Sequence, residues 1–202
     1  MPLRHIESRC DLLALQQSDP RRYPCLLESA ASGTPRSRYD LLLAFPRGGL
    51  VLDADGVTRD LDGRALTSDF LAALDIAWAQ APRPTEVDEI GVPFRGGWAL
   101  YLGYELVGQL EPRLELPRTE DPIPVALALR CPAALVFDHV EERLVAVAEP
   151  GHEELLEQLA SDVARARQTG VEALPPRLSD VAAEDDAEEF LAGVRRVLDY
   201  IA

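Results

Sequence analysis

The chain has 202 residues, 47% of them apolar, and carries 35 acids against 20 bases for a formal charge of −15. That length and apolar share are enough for one sizeable core and exclude a disordered polypeptide; the acidic excess, with no basic stripe to offset it, excludes nucleic acid as a partner. No apolar run reaches the roughly 18 to 20 residues that cross a bilayer, and the opening MPLRHIESRC has no hydrophobic stretch resembling a secretion signal, so no membrane contact and a cytoplasmic setting are expected.

From Tyr23 to Asp60 the pattern is that of strands, PCLLES, YDLLLAF and GLVLDADGVTRDL, with Asp55-Gly56 supplying the left-handed backbone of a tight hairpin. Thr67 or Ser68 is placed to cap a helix running to about Gln80. Phe70, Leu71, Leu74, Ala77 and Trp78 recur there at helical spacing until Pro82, and one face should pack on the sheet. The proline-rich APRPTEVDEIGVP reads as a surface connection into PFRGGWALYLGYEL, which contains a strand. PVALALR, AALVFDH and ERLVAVAE follow as three further strands, the last two joined by a charged turn at 140–142. Their consecutive apolar residues predict cover on both faces.

Helical periodicity returns from His152 to about Gln168, with Leu155, Leu156, Leu159 and Val163 as the apolar stripe of an outer helix. A linker with Pro175-Pro176 spans 170–180. The last segment, DDAEEFLAGVRRVLDYIA, places Phe190, Val194, Val197 and Ile201 on one helical face with acids in the first turn. Lacking a terminating glycine, proline or polar tail, it is expected to continue into further protein. The fold class expected is α+β, with antiparallel sheets and helices packed outside.

The inventory of reactive groups is thin. All 20 bases are arginine, so no Schiff base, lysine nucleophile or phosphate-loop lysine can come from this chain. Cys10, Cys25 and Cys131 are too far apart in sequence for a metal knuckle or redox pair, and read as reduced, partly buried thiols. His5, His139 and His152 have no partner at metal-ligand or triad spacing. The acid pairs at 153–154, 185–186 and 188–189 read as solvated first-turn carboxylates. Neither Arg-Gly-Gly, at 47–49 or 95–97, has the spacing of a phosphate loop; turns and close backbone packing are the expected reasons for them.

Two segments stand out in combination: Arg22-Tyr23-Pro24-Cys25-Leu26-Leu27-Glu28-Ser29 followed by Ser37-Arg38-Tyr39-Asp40, and Pro93-Phe94-Arg95-Gly96-Gly97-Trp98 continuing to Leu102-Gly103-Tyr104-Glu105. In this order they resemble the anthranilate synthase component I family, whose members share a leucine-leucine-glutamate-serine strand and a proline-phenylalanine-x-glycine-glycine stretch ending in glycine-tyrosine-acid. The terminal FLAGVRRVLDYIA is similar to the helix that leads into that family's catalytic domain. The resemblance runs from about Tyr23 to Ala202. Ser37-Arg38-Tyr39-Asp40 looks more like the aminodeoxychorismate synthase branch than the anthranilate branch.

The resemblance implies an N-terminal domain over 1–178 and, over 179–202, the start of a helix into a chorismate-binding catalytic domain. It implies a parent enzyme that aminates chorismate to 4-amino-4-deoxychorismate for p-aminobenzoate and folate. Ammonia would come from a glutaminase partner, and Mg2+ would be held by the catalytic domain, with no cofactor and no catalytic residue in this chain. It further implies a tryptophan-like ligand pocket formed by Ser29, Arg36, Ser37, Arg38 and Tyr39. The alternatives are the corresponding domain of anthranilate synthase component I, a stand-alone tryptophan-binding module, or an interaction domain that docks a glutaminase.

Overall fold

PVALALR and AALVFDH are separated only by Cys131-Pro132, and they form one extended stretch that passes from one sheet into another. A computed structural model describes residues 2–7, 9–29, 37–81, 91–114, 123–170, 174 and 186–201. Its strands in chain order are β1 (Leu3–Ile6), β2 (Cys25–Leu27), β3 (Tyr39–Ala44), β4 (Gly49–Leu52), β5 (Thr58–Asp60), β6 (Gly97–Leu102), β7 (Ala126–Cys131), β8 (Ala133–Asp138) and β9 (Arg143–Ala148). Its helices are α1 (Leu12–Ser18), α2 (Phe70–Gln80), α3 (Val107–Leu110, after a 3-10 turn at Tyr104–Leu106), α4 (Glu154–Thr169) and α5 (Ala187–Ile201).

All strand pairings are antiparallel. One sheet has the order β1-β9-β8-β3-β2 and the other β5-β4-β7-β6. The chain crosses between them twice, from β3 to β4 and from β7 to β8. At the second corner Pro132 is fully buried and, having no N–H, cannot donate to a ladder; its carbonyl accepts instead from the Glu149 N–H at 2.8 Å.

The alternation of side chains sorts three cores. On β8 and β9, Leu135, Phe137, Leu144 and Ala146 face α1 and α4, packing with Leu12, Leu15, Leu155, Leu159 and Val163. Ala134, Val136, Val145 and Val147 face the other sheet, against Leu129 and Cys131. The outer face of that second sheet buries Leu50, Leu52, Ala126 and Ala128 under Phe70 and Ala73 of α2. The layers run α1 and α4, sheet, sheet, α2. This is the α+β arrangement expected, with helices outside, and every residue of β8 is buried as its apolar run predicts.

Some local readings change. Asp69, not Thr67 or Ser68, caps α2, its carboxylate accepting from the Ala72 N–H at 2.8 Å. Phe70 and Ala73 are the buried residues of that helix, whereas Trp78 is 57% exposed. The β4–β5 connection is five residues long, and in it Gly56 alone has a positive φ, of 78°. Asp186 caps α5, accepting from the Glu188 and Glu189 N–H groups at 2.9 and 3.1 Å, so it is more than a solvated acid. α4 ends at Gly170 in the left-handed conformation. Pro82 and most of the expected connections at 82–90 and 171–180 lie outside the described residues.

Both Arg-Gly-Gly segments converge on Arg130 of β7. The Arg47 N–H donates to the Arg130 carbonyl at 2.8 Å, and the Arg130 N–H donates to the Gly48 carbonyl at 2.9 Å. The Arg130 guanidinium donates to the Gly97 carbonyl at 2.9 Å and to both oxygens of Glu149 at 2.6 and 2.5 Å. Gly96 has φ +98°, and a Cβ there would lie 2.2 Å from Glu149 Cγ. The glycine is required by the seating of Glu149.

Arg130→Met, which strands a carboxylate whose side chain is only 14% exposed, is expected to destabilise by roughly 3–5 kcal/mol. Gly56→Ala, at a left-handed position with open space around it, should cost about 1–2 kcal/mol, and Gly96→Ala more than that. Urea unfolding of the three variants ranks them.

Candidate functional site

The two halves of the first segment singled out by sequence, 22–29 and 37–40, meet where β2 leaves its sheet and β3 enters it, whereas 97–102 of the second forms β6 in the other sheet. The Ser29 hydroxyl donates to the Tyr39 carbonyl at 2.8 Å, and the Ser29 N–H donates to Asp40 Oδ1 at 2.8 Å, continuing the β2–β3 pairing with side-chain bonds. Asp40 Oδ2 lies 2.8 Å from His139 Nε2, and the His139 ring stands edge-on to Phe137 at 4.9 Å. The His139 N–H donates to the Arg38 carbonyl at 2.8 Å, extending the β3–β8 ladder by one rung.

Arg38 grips Asp138 with two nitrogens, Nε at 3.0 Å from Oδ1 and Nη2 at 2.8 Å from Oδ2. Asp138 is 2% exposed, and its Oδ1 also accepts from the N–H groups of Val140 and Glu141, which fixes the turn into β9. The Arg38 guanidinium, followed by these two N–H groups, holds the Asp138 carboxyl below the usual carboxylate range despite its burial. Arg38 also lies over the Tyr39 ring, 4.9 Å from its centre. The Tyr39 hydroxyl donates to the Gly91 carbonyl at 2.7 Å, while its ring packs on the core between the sheets.

Of the five residues in the expected pocket, Ser29, Ser37, Arg38 and Tyr39 are therefore gathered at one end of the first sheet, and Arg36 lies outside the described residues. Ser29, Arg38 and Tyr39 each have a partner within the chain. The Asp40–His139 contact was invisible to spacing, because the two residues are 99 positions apart.

A second polar cluster escaped the sequence reading. Asp162 on α4, 7% exposed, accepts from Arg22 Nη1 at 2.6 Å, from the Tyr23 hydroxyl at 2.6 Å and from Arg165. Burial, then the bond to Asp162, pushes the Tyr23 hydroxyl pKa far above the ordinary tyrosine range. These residues line a cleft of about 260 Å³ between α1 and α4, together with Leu15, Ser18 and Thr169. The Arg22-Tyr23 of the first motif thus ties the chain ahead of β2 to α4.

Burial raises the thiols of Cys10, to about 11, and of Cys131, to about 12, and also raises Cys25, which leaves all three protonated and poorly nucleophilic near neutrality. Among the described residues no group of three or more His, Cys, Asp or Glu side chains is placed to hold a metal ion, and no helix is long and apolar enough to cross a membrane. What the geometry offers is a two-sheet α+β scaffold with hydroxyl, guanidinium and phenol groups gathered at a sheet end.

Scaffold and sequence both have relatives. The chain is 30% identical over 196 residues to anthranilate synthase component 1 of Pseudomonas aeruginosa, a match that covers 87% of this chain and 39% of that protein. The fold matches the crystal structure of anthranilate synthase component I from Streptococcus pneumoniae TIGR4 with a TM-score of 0.56 at 21% identity, covering 84% of this chain and 39% of that one. No protein-family profile matches the chain. In sequence the chain is thus similar to part of one anthranilate synthase component 1, and in fold to part of another. It spans 39% of the length of each of these two relatives.

Because the Asp138 carboxyl titrates lower folded than unfolded, its contribution to stability is present above about pH 4, the ordinary aspartate value, and is lost as pH falls through the folded value. The melting temperature of Asp138→Asn should therefore decline less below pH 4 than that of the parent. Tyr23→Phe, which removes one donor to Asp162, should cost about 1–2 kcal/mol in a urea titration.

Proposed function

We propose that this chain is the N-terminal scaffold and ligand-binding part of an aminodeoxychorismate synthase component I, which aminates chorismate to 4-amino-4-deoxychorismate for p-aminobenzoate and folate synthesis in the cytoplasm. The observation that carries this reading is the likeness of the chain, over 87% of its length, to part of anthranilate synthase component 1. Choice of the aminodeoxychorismate branch rests on the run Ser37-Arg38-Tyr39-Asp40.

In this reading the reaction belongs to a chorismate-binding domain outside the chain. That domain holds Mg2+ and receives ammonia from a glutaminase subunit, while residues 1–178 brace it and the segment 179–202 leads into it. Ser29, Ser37, Arg38 and Tyr39, gathered at the end of the first sheet, form with Arg36 of the adjoining segment the proposed site for a tryptophan-like amino acid. The Ser29 hydroxyl, donating to a carbonyl, retains lone pairs that can accept from an ammonium group; Arg38 suits the carboxylate and Tyr39 the ring. A second reading, the same domain of an anthranilate synthase, is favoured by the names of both relatives.

Product analysis separates the two. With chorismate, ammonium and Mg2+ the chain alone is expected to form no product, and the protein carrying both domains should accumulate 4-amino-4-deoxychorismate; anthranilate in its place would select the second reading. Calorimetry with tryptophan on the two-domain protein should give a saturable heat, weakened at least about tenfold by Ser29→Ala, the loss of a hydrogen bond to a charged group. No heat from the folded protein would remove the ligand site from the proposal.

A further inference from the structure

Each sheet of this fold has two edges, and three of the four are protected. β1 carries Arg4 and His5 in its four residues, with Arg4 paired to Glu157 of α4. β2 has only three residues. β5, also three residues long, is covered by the chain that follows it: the Leu66 N–H donates to the Thr58 carbonyl at 2.8 Å, the Asp60 N–H donates to the Arg64 carbonyl at 3.0 Å, and Arg59 and Ala65 form a bridge.

β6 differs on every count. It has six residues, Gly-Trp-Ala-Leu-Tyr-Leu, with no charge and no proline, and among the described residues β7 is the only strand paired with it. Leu100, Tyr101 and Leu102 are 51, 45 and 52% exposed, and Tyr104 beyond them is 85% exposed. Short strands, charges and covering segments are the devices that keep an edge from pairing with another chain, and among the described residues β6 has none of them.

The sequence of the edge also complements itself. In antiparallel pairing about a two-fold axis at Leu100, Leu100 faces Leu100, small Ala99 faces large Tyr101 on one surface, and Trp98 faces Leu102 on the other. The same axis brings Arg95 of one copy to the end where Glu105 of the other lies, twice by symmetry. For a chain of formal charge −15, an uncharged strip flanked by opposite charges is where a second copy is least repelled.

We propose that β6 is a self-association edge, through which two copies join their four-stranded sheets into one continuous antiparallel sheet across a two-fold axis at Leu100. Sedimentation velocity over a range of concentrations is expected to show a twofold rise in mass, reversible on dilution. Leu100→Arg sets two guanidinium groups against each other on the axis. Because Leu100 lies at the surface, the variant should keep its circular dichroism and melting temperature while dimer affinity falls by at least about tenfold. Leu100→Cys should give a 100–100 disulfide-linked dimer under mild oxidation, resolved by peptide mapping. The proposal is overturned if the parent chain stays monomeric throughout, or if a dimer forms that Leu100→Arg leaves intact, as one built on the apolar face of α5 would be.

Discussion

The fold depends on Arg130 holding together the place where one sheet becomes the other. β7 and β8 are one stretch of chain bent at Pro132, and a bend of that kind leaves carbonyls and N–H groups with no ladder to join. Arg130 and its neighbours meet this demand with several bonds at once: backbone to the Arg47-Gly48 turn on one side, guanidinium to the Gly97 carbonyl on the other, and a two-pronged grip on Glu149 just past β9. Since Glu149 follows the last strand of the first sheet and Gly97 opens the edge strand of the second, one side chain sets how the two sheets meet. The glycines around it are present because Glu149 and the β7 backbone leave no room for a Cβ at positions 96 and 49.

With the sheets fixed, the position of the candidate site follows. Tyr39 begins β3, the strand that pairs with β8 and then leads across to β4, so its ring lies in the core between the sheets while its backbone joins the end of the first sheet. Arg38, one residue earlier, is held by Asp138 at the end of β8, and Ser29 is bonded to the β3 backbone. On the far side of the same sheet, Asp162 gathers Arg22 and Tyr23 and thereby fixes the approach to β2. The entry and exit of the segment between Ser29 and Ser37 are thus each anchored by charge-assisted bonds, which is the rigid support a binding wall needs.

The strands were legible because their apolar runs are long and bounded by turns, and the two-faced cover of β8 and β9 follows from runs with no polar alternation. β1 and α1 were not legible: four residues reading Leu-Arg-His-Ile carry no clear period, and a seven-residue helix offers two turns, too few to separate from loop. The Asp11 cap was its one local signal. The motif residues Ser29, Arg38 and Tyr39 fall at one end of the first sheet, but the charged partners of Arg22, Arg38 and Asp40 stand 99 to 140 positions away in sequence. Asp162 could have been suspected. It sits seven residues after Leu155 and one before Val163, on the buried stripe of α4, where an acid needs a partner. Capping atoms were misassigned by a residue or two, since Thr67, Ser68 and Asp69 are all acceptable caps and only the backbone decides between them.

The buried and half-buried charges of this domain are engaged with one another: Arg130 with Glu149, Arg38 with Asp138, Arg22 with Asp162. Groups so committed hold architecture and are poor candidates for proton transfer, because moving a proton would break the bonds that shift them. The apolar surface behaves in the opposite way. α5 has no buried residue, and an isolated helix of its 15 residues is marginal in water unless its apolar face is covered. Phe190, Val197 and Ile201 on that helix, and Leu100 to Leu102 on β6, are where this chain can still gain free energy by contact. In this domain the ion pairs are closed within the chain, while the apolar faces of α5 and β6 are left exposed.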